Sequence, residues 1–366
     1  MKDAFNVIGC LIAVPIIITV GYFIIGTFLY FIPFLLAVGV ILLVLFLIFD
    51  NMTGFNINFM ETLPIIRTVD ELAELLCTDV RLLYAISNKT PVWYKCFQIP
   101  KNNGSMRNIE APRPYLKKIQ RRIQKKILSC FVVHDCATAF LPGKNIRRNA
   151  LFHVNKPVVL NCDIKNFFPS LKSRSVFEFF RNNTGYEPDI CMMLSRLCTL
   201  YGHLPQGAPT SPMLSNLLMF EADKTICQWA AKHYLSYSRY ADDLTFSGDI
   251  DDRLQADILR MVKHNLTLLH LKLNPAKTKL YRNNRRQLVT GLVVNEYVGV
   301  PREKIREFRT WLHYTEVDIK NGNFYYDDEE FASRLGLLNF YCSVNTSEKL
   351  WQWREWLLEI KKKYSA

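Results

Sequence analysis

Metal-binding cysteine pairs are missing from this sequence. Its ten cysteines are scattered without a single C-x-x-C, which excludes a zinc-ribbon type of site and points to free or buried thiols in a reducing compartment. No internal repeat and no low-complexity tract is present, so nothing argues for a solenoid or a disordered array. Charge is missing over one long stretch: no Asp, Glu, Lys or Arg occurs between Ala4 and Phe49.

That uncharged run is dominated by Ile, Leu, Val and Phe. A helix rises ~1.5 Å per residue and the hydrocarbon layer is ~30 Å thick, so the run fits two crossings better than one. Pro33, after Gly26 and Tyr30, marks the expected turn between spans over 7–25 and 34–49. A signal peptide fits poorly, because Lys2 is followed directly by Asp3 and the run is too long. The expected organisation is two transmembrane helices over 1–50, a linker over 51–68, a main catalytic portion over 69–300, and a helical portion over 301–366.

The chain carries a formal net charge of +13, and since the first fifty residues contribute only Lys2, Asp3 and Asp50, the remainder holds +14. Such an excess suits a polyanion, either nucleic acid or an anionic membrane surface. With reduced cysteines, it places the large portion on the cytosolic side of a lipid bilayer, to which the two spans would tie it as a multi-pass anchor.

Thr68-x-x-Glu71 reads as a capping box opening a helix with Leu72, Leu75 and Leu76 at helical spacing. A strand over 92–99 leads to the turn signal Asn103-Gly104. After Pro112 and Pro114, a helix places Leu116, Ile119, Ile123 and Ile127 on one face, with Lys117, Lys118, Arg121, Arg122, Lys125 and Lys126 around the rest. A buried strand over 157–164 ends in Asp163. Helices are expected over 173–182 and 189–200. The Gly/Pro-rich loop 202–211 opens a long helix through Leu214, Leu217, Leu218 and Ile226, followed by a hairpin over 235–247 and a helix over 254–271. Short strands near Leu280 and over 288–294 precede a helical end from Arg302. The pattern is α+β, with a small antiparallel sheet.

Joining nucleotides with two metal ions needs carboxylates on rigid elements, converging on ions ~3.5–4 Å apart. A strand end and an adjacent hairpin turn supply such positions. Asp163 ends a hydrophobic strand, and Asp242-Asp243 sit at the turn of 238–247, where polar and apolar residues alternate on both sides. Paired aspartates alone mean little. Asp251-Asp252 and Asp327-Asp328 lack hydrophobic strands on both flanks, and in isolation Asp242-Asp243 reads better as a solvated turn.

The wider string changes that reading. Tyr240-Ala241-Asp242-Asp243 resembles the Y-x-D-D box of reverse transcriptases. Asp163-Ile164-Lys165-Asn166-Phe167-Phe168-Pro169-Ser170 resembles their motif A, and Leu204-Pro205-Gln206-Gly207-Ala208-Pro209-Thr210-Ser211-Pro212 resembles motif B, in the family's order. The resemblance implies a right-hand polymerase of fingers, palm and helical thumb, here preceded by a transmembrane hairpin. It implies that Asp163, Asp242 and Asp243 hold two Mg²⁺ ions, with the Ile164 carbonyl as a candidate ligand. It places Phe168 under the incoming sugar, Gln206 and Gly207 beside template and nucleotide, Arg107 near the triphosphate of a deoxynucleoside triphosphate, and Lys277 at the leaving pyrophosphate. The alternatives are core packing for Phe168, an ordinary turn for Gly207, and solvated charge for Arg107 and Lys277.

Two further strings resemble the retron type of this family: Asn149-Ala150-Leu151-Phe152-His153 its N-A-x-x-H motif, and Val289-Thr290-Gly291 its V-T-G triplet. The resemblance covers about 72–364, including a helical thumb in which 301–313 looks like the family's. The retron resemblance implies RNA recognition by Asn149, Ala150, His153, Val289, Thr290 and Gly291. It also implies a cognate structured noncoding RNA (msr-msd), which serves as template and primer for a branched RNA–DNA product (msDNA) in antiviral defence. A homo-oligomer or a separate effector are further candidate partners. The C-terminal stripe Trp353, Trp356, Leu357 and Ile360, ending in Lys361 to Lys363, suits either an RNA hairpin or core packing. The membrane hairpin departs from the retron pattern and reads as anchor or fused effector. The rivals are a group II intron-like or other defence reverse transcriptase, against which no maturase or endonuclease extension is expected after the thumb, and a catalytically inactive membrane-tethered RNA-binding protein.

Overall fold

The computed structural model describes residues 62–100, 104–345 and 347–364. The expected spans over 7–25 and 34–49, and the linker as far as residue 61, lie outside the described residues. Among the described residues no helix is long and apolar enough to cross a membrane.

In chain order the helices are α1 (Val69–Leu75), α2 (Val80–Asn88), α3 (Pro114–Lys126), α4 (Ile146–Leu151), α5 (Phe167–Ser170), α6 (Ser173–Thr184), α7 (Pro188–Cys198), α8 (Thr210–Leu218), α9 (Phe220–Lys232), α10 (Asp252–Leu268), α11 (Arg302–Lys320), α12 (Asp328–Val344) and α13 (Glu348–Tyr364). The strands are β1 (Tyr94–Pro100), β2 (Met106–Pro112), β3 (Val158–Asp163), β4 (Ser236–Tyr240), β5 (Asp243–Gly248), β6 (Lys279–Arg282), β7 (Leu288–Val289) and β8 (Leu292–Val293). The α+β arrangement expected from the sequence is present. A four-stranded antiparallel sheet runs β4-β5-β3-β6, and β1-β2 and β7-β8 form separate two-stranded hairpins.

Local chemistry explains several boundaries. Thr68 Oγ1 accepts the Glu71 amide at 3.2 Å, as expected of an N-cap, but the Glu71 carboxylate reaches back one residue further, to the Arg67 amide at 2.7 Å. In α3 the residues Leu116, Ile119 and Ile123 are buried, and Ile127 at the C-cap joins them. Arg122 is not part of an unpaired basic face: its Nη1 donates to the carbonyls of Leu76 at 2.6 Å and Cys77 at 3.0 Å, tying α3 to the end of α1.

The long helix expected from 210 onward is two helices, α8 and α9, interrupted at Met219. Both flanks bury apolar residues, and helical bonds still run into and out of Met219 (its amide to the Ser215 carbonyl at 3.2 Å, the Asp223 amide to its carbonyl at 2.8 Å), so the apolar pattern continues through the interruption. Helix α7 stops at Cys198, because Leu200 exchanges hydrogen bonds with His203. Helix α10 begins two residues earlier than expected, capped by Asp251 Oδ1 on the Leu254 amide at 2.7 Å, and ends at Leu268.

Buried apolar side chains fall into two clusters. The larger joins α1–α3 and α6–α10 to the four-stranded sheet. The second gathers α11–α13 with Val289, Leu292, Val294, Val298 and Val300, and reaches back to Ala150 and Val159. Trp353 stacks on Phe308 with ring centroids 6.2 Å apart, and Leu357 and Ile360 are buried in the same cluster, so the C-terminal apolar stripe is spent on packing.

Candidate active site

Strand β3 is central in the sheet, and Val158, Val159, Leu160 and Cys162 are all buried, which fits an apolar run covered on both faces. It delivers Asp163 to the sheet's end, where the register sets Asp163 opposite Asp243 of β5. Tyr240 pairs with Asp243, leaving Ala241-Asp242 as a two-residue hairpin turn.

Ala241 has φ +57, in the left-handed region that non-glycine residues adopt at a cost. Two contacts hold that turn. Arg239 Nη1 donates to the Ala241 carbonyl at 3.0 Å, and the Ile164 amide donates to the Asp242 carbonyl at 2.9 Å. Arg239 is itself fully buried and forked onto Asp223 of α9, with Nη2 to Oδ2 at 2.6 Å and Nε to Oδ1 at 2.9 Å. Burial alone would lower the Arg239 pKa, and the Asp223 charge more than offsets it.

Asp163 is 5 % exposed. Its carboxylate accepts Asn274 Nδ2 at 3.1 Å and Lys277 Nζ at 2.8 Å, and its carbonyl accepts the Asn274 amide at 2.8 Å. Desolvation raises the Asp242 carboxyl; the Asp163 charge adds to this, and Lys277 and Arg107 oppose it. Asp243, at the rim, is pushed up to about 6 by desolvation, then by the charges of Asp242 and Asp163. The hydrogen bond to Asp163 raises Lys277 in return. The sheet's end therefore holds more negative charge than its own cations neutralise, and its donors are hard oxygens, which suit Mg²⁺ rather than softer metals. Among the described residues no three His, Cys, Asp or Glu side chains converge as a preformed metal cage.

The other expected site residues distribute as follows. Arg107 is exposed on β2, within electrostatic reach of Asp242. Phe168 is half-buried, its ring 5.4 Å from Phe167 and 6.2 Å from Phe140. With Phe140, Lys117, Arg121, Gly207 and Ala208 it lines a depression of ≈ 420 Å³. Gln206 and Gly207 lie against β2: the Glu110 amide donates to the Gln206 carbonyl at 3.0 Å, and the Gln206 amide donates to Glu110 Oε2 at 3.3 Å. Gly207 has φ +143, and a Cβ there would sit 2.8 Å from the Glu110 carbonyl oxygen. Its glycine is required by this close backbone approach as well as by any approach of substrate.

The retron-like strings are placed differently from a nucleic-acid surface. Asn149, Ala150, His153 and Val289 are each 0 % exposed, and the polar groups among them are bonded inside the protein. Only Gly291 is exposed, in a turn where Thr290 and Gly291 both have positive φ, +46 and +83. Direct RNA contact through the Asn149, Ala150 and His153 side chains is at odds with this burial.

Sequence reasoning missed Asn274, Phe140, the Glu110–His203 pair (Nε2 to Oε2 3.1 Å) and the Asp223–Arg239 pair. Only Asn274 left a trace, three residues before Lys277.

Carboxylates on neighbouring antiparallel strands, with cations facing them, place the molecule among template-directed polymerases of the palm type. The family described as Reverse transcriptase (RNA-dependent DNA polymerase) matches residues 99–317, more than half of the chain, and the chain belongs to that family. Retron enzymes are among its relatives. It is 34% identical over 276 residues to the Retron Mx65 reverse transcriptase of Myxococcus xanthus, covering 69% of this chain and 64% of that one. It is 34% identical over 257 residues to the Retron Mx162 enzyme of the same organism, covering 61% and 53%. It is 30% identical over 289 residues to the Retron Ec86 reverse transcriptase of Escherichia coli, covering 78% and 87%. The chain thus spans less than two thirds of the length of both Myxococcus relatives. Among solved structures, apo telomerase from Candida tropicalis aligns at 13% identity and a TM-score of 0.41, over 58% of this chain and 56% of that one.

Proposed function

We propose that this chain is the RNA-directed DNA polymerase of a retron, copying a structured noncoding RNA into DNA from deoxynucleoside triphosphates. The observation that carries the reading is the Asp163–Asp243 register across β3 and β5, with Asp242 in the clamped turn beside it. Asp163, Asp242 and Asp243 would hold two Mg²⁺ ions, with the Ile164 carbonyl as a candidate fourth donor. When bound, such ions supply charge stabilisation at the attacking and leaving oxygens.

The protein's own groups do the rest. Lys277, bonded to Asp163 at 2.8 Å, would leave the Asp163 carboxylate free for a cation if its ammonium turned toward the leaving pyrophosphate. Arg107, exposed on β2, would offer a positive charge to the triphosphate. Phe168 and Phe140 wall the depression in which a sugar would lie, and the bulk of Phe168 opposes a 2′-hydroxyl.

The retron relatives support a cognate msr-msd RNA as template and primer, a branched msDNA product and a role in antiviral defence. The uncharged 7–49 run supports attachment to the bacterial inner membrane, as anchor or fused effector, with the polymerase portion on the cytoplasmic side.

The test is to express the chain with its native flanking DNA in bacteria, isolate bound nucleic acid, and treat it with DNase, RNase and debranching enzyme, beside an Asp242→Ala, Asp243→Ala double variant. DNA joined through a branch to RNA in the wild type alone is the expected result. RNA without DNA in both preparations would overturn the polymerase reading in favour of an inactive RNA-binding protein. Unbranched DNA in the wild type alone would move the enzyme to another reverse transcriptase type. Expression of the Met1–Met60 segment alone separates effector from anchor: membrane depolarisation is expected only of an effector.

A further inference from the structure

Beneath the catalytic hairpin lies a set of polar side chains that the proposed chemistry does not use. His153 follows α4 and is fully buried. Its Nε2 is 2.7 Å from Ser238 Oγ in β4, and its Nδ1 is 2.7 Å from Ser247 Oγ in β5. It therefore bridges the two strands whose turn carries Asp242.

The proton positions follow from the neighbours. Ser238 Oγ donates to Asn149 Oδ1 at 2.7 Å, an oxygen that can only accept. Having one hydrogen, Ser238 must accept from His153, so His153 Nε2 carries the proton. Burial keeps the imidazole neutral, so Nδ1 is bare and accepts from the Ser247 hydroxyl. Asn149 Oδ1 also accepts the Thr138 hydroxyl at 2.8 Å, and Asn149 Nδ2 donates to Thr290 Oγ1 at 3.4 Å. The outcome is one directed series of hydrogen bonds: Ser247 to His153 to Ser238 to Asn149, and Asn149 to Thr290.

The far end of that series is informative. Thr290 is β-branched and has φ +46, a conformation such residues avoid. It turns the β7–β8 hairpin, which belongs to the second apolar cluster with α11–α13. The same hairpin is tied to the other catalytic strand: Asn161, two residues before Asp163, donates through Nδ2 to the Leu288 carbonyl at 2.7 Å. Both strands that carry catalytic carboxylates are thus referenced to one short hairpin of the C-terminal core.

Resting on the polymerase reading above, we propose that Asn149 and His153, with Thr290, are positioning residues. They fix the height of the Asp242-Asp243 turn relative to Asp163 and to the C-terminal helices, rather than reading RNA. A misplacement of reacting groups by ~1 Å costs on the order of 100-fold in rate, so a buried brace at this position acts on turnover before it acts on affinity.

The test uses the full chain with its RNA and four variants: His153→Phe, which keeps an aromatic ring and removes both bonds; Ser247→Ala, which removes one; Thr290→Val, which removes the distant acceptor with the shape kept; and Thr290→Ser, which keeps that acceptor. Each is compared with wild type in steady-state nucleotide incorporation, in RNA affinity and in amide hydrogen exchange over 236–248. The expected result is a fall in kcat of roughly 10-fold or more for His153→Phe, with KM for nucleotide and Kd for RNA within about 2-fold. Thr290→Val is expected to speed exchange in 236–248, although it lies outside that segment. Thr290→Ser, which keeps the hydroxyl, is expected to exchange over 236–248 as the wild type does. Unchanged kcat and unchanged exchange in folded Ser247→Ala and Thr290→Val proteins would overturn the proposal. Loss of RNA affinity with kcat retained would overturn it in favour of direct recognition. A wild type without turnover would remove the polymerase reading, and exchange over 236–248 would still decide the brace.

Discussion

Arg239 and Asp223 form a fully buried ion pair at 2.6 Å, and the same guanidinium that grips Asp223 holds the carbonyl of Ala241 in the turn that presents Asp242. One side chain thereby joins helix α9 to the catalytic hairpin. Tyr237 adds its hydroxyl to Asp223 at 3.1 Å, so the carboxylate is saturated from one side of β4.

Removing one partner of a buried pair leaves the other charged and unsolvated. Asp223→Ala is expected to destabilise the fold by about 3–5 kcal/mol in urea unfolding, with a much smaller loss in the double variant Asp223→Ala, Arg239→Leu. A loss below ~1 kcal/mol in the single variant would show that the pair contributes little.

Gly207→Ala brings a methyl to 2.8 Å from the Glu110 carbonyl oxygen at a φ of +143. The loop must shift, at a cost of about 1–3 kcal/mol. Because the loop borders the Phe168 depression, KM for nucleotide is expected to rise more than the midpoint of unfolding falls. Steady-state kinetics beside a melting curve reads both.

Asp243 predicts a pH-dependent response to Mg²⁺. Its folded pKa, about 6, lies above the unfolded value, so protonation favours the ion-free fold. That contribution is complete below ~4 and is lost as pH rises through about 6. A cation must displace the same proton. The rise in Tm on adding Mg²⁺ is expected to be large near ~pH 8 and to shrink as pH falls through the Asp243 titration, and Asp243→Asn is expected to flatten the dependence. Thermal melts with Mg²⁺ and with EDTA across pH measure it.

Phe168→Ala removes the ring packed between Phe167 and Phe140. Discrimination against ribonucleotides is expected to drop roughly 10-fold or more, with deoxynucleotide incorporation retained. Competition between the two nucleotide types on one template measures the ratio; an unchanged ratio would reassign Phe168 to packing alone.

Much of this site was legible along the chain, because its positions depend on local patterns. The apolar run into Asp163 and the alternation around Asp242-Asp243 mark a strand end and a hairpin without knowledge of the fold. The partners of those residues were hidden for a physical reason. Arg239 and Asp223 lie 16 positions apart, and Asn149 and Thr290 lie 141 apart. Their pairing exists only after the sheet and helices pack, and a histidine in a motif looks the same whether it faces RNA or two serines. The break at Met219 was hidden likewise, since apolar residues continue at helical spacing on both sides.

Val159 sits near the start of the catalytic strand, yet its side chain belongs to the apolar cluster of the last three helices. A customary line drawn between palm and thumb near residue 300 therefore cuts through shared hydrophobic material. Recombination at that line would not transfer a self-sufficient cassette: a foreign thumb would have to match Val159, Ala150 and the β7–β8 hairpin side chain for side chain. Diversification of such polymerases is accordingly expected to proceed by coordinated substitution across this seam more readily than by exchange of whole segments.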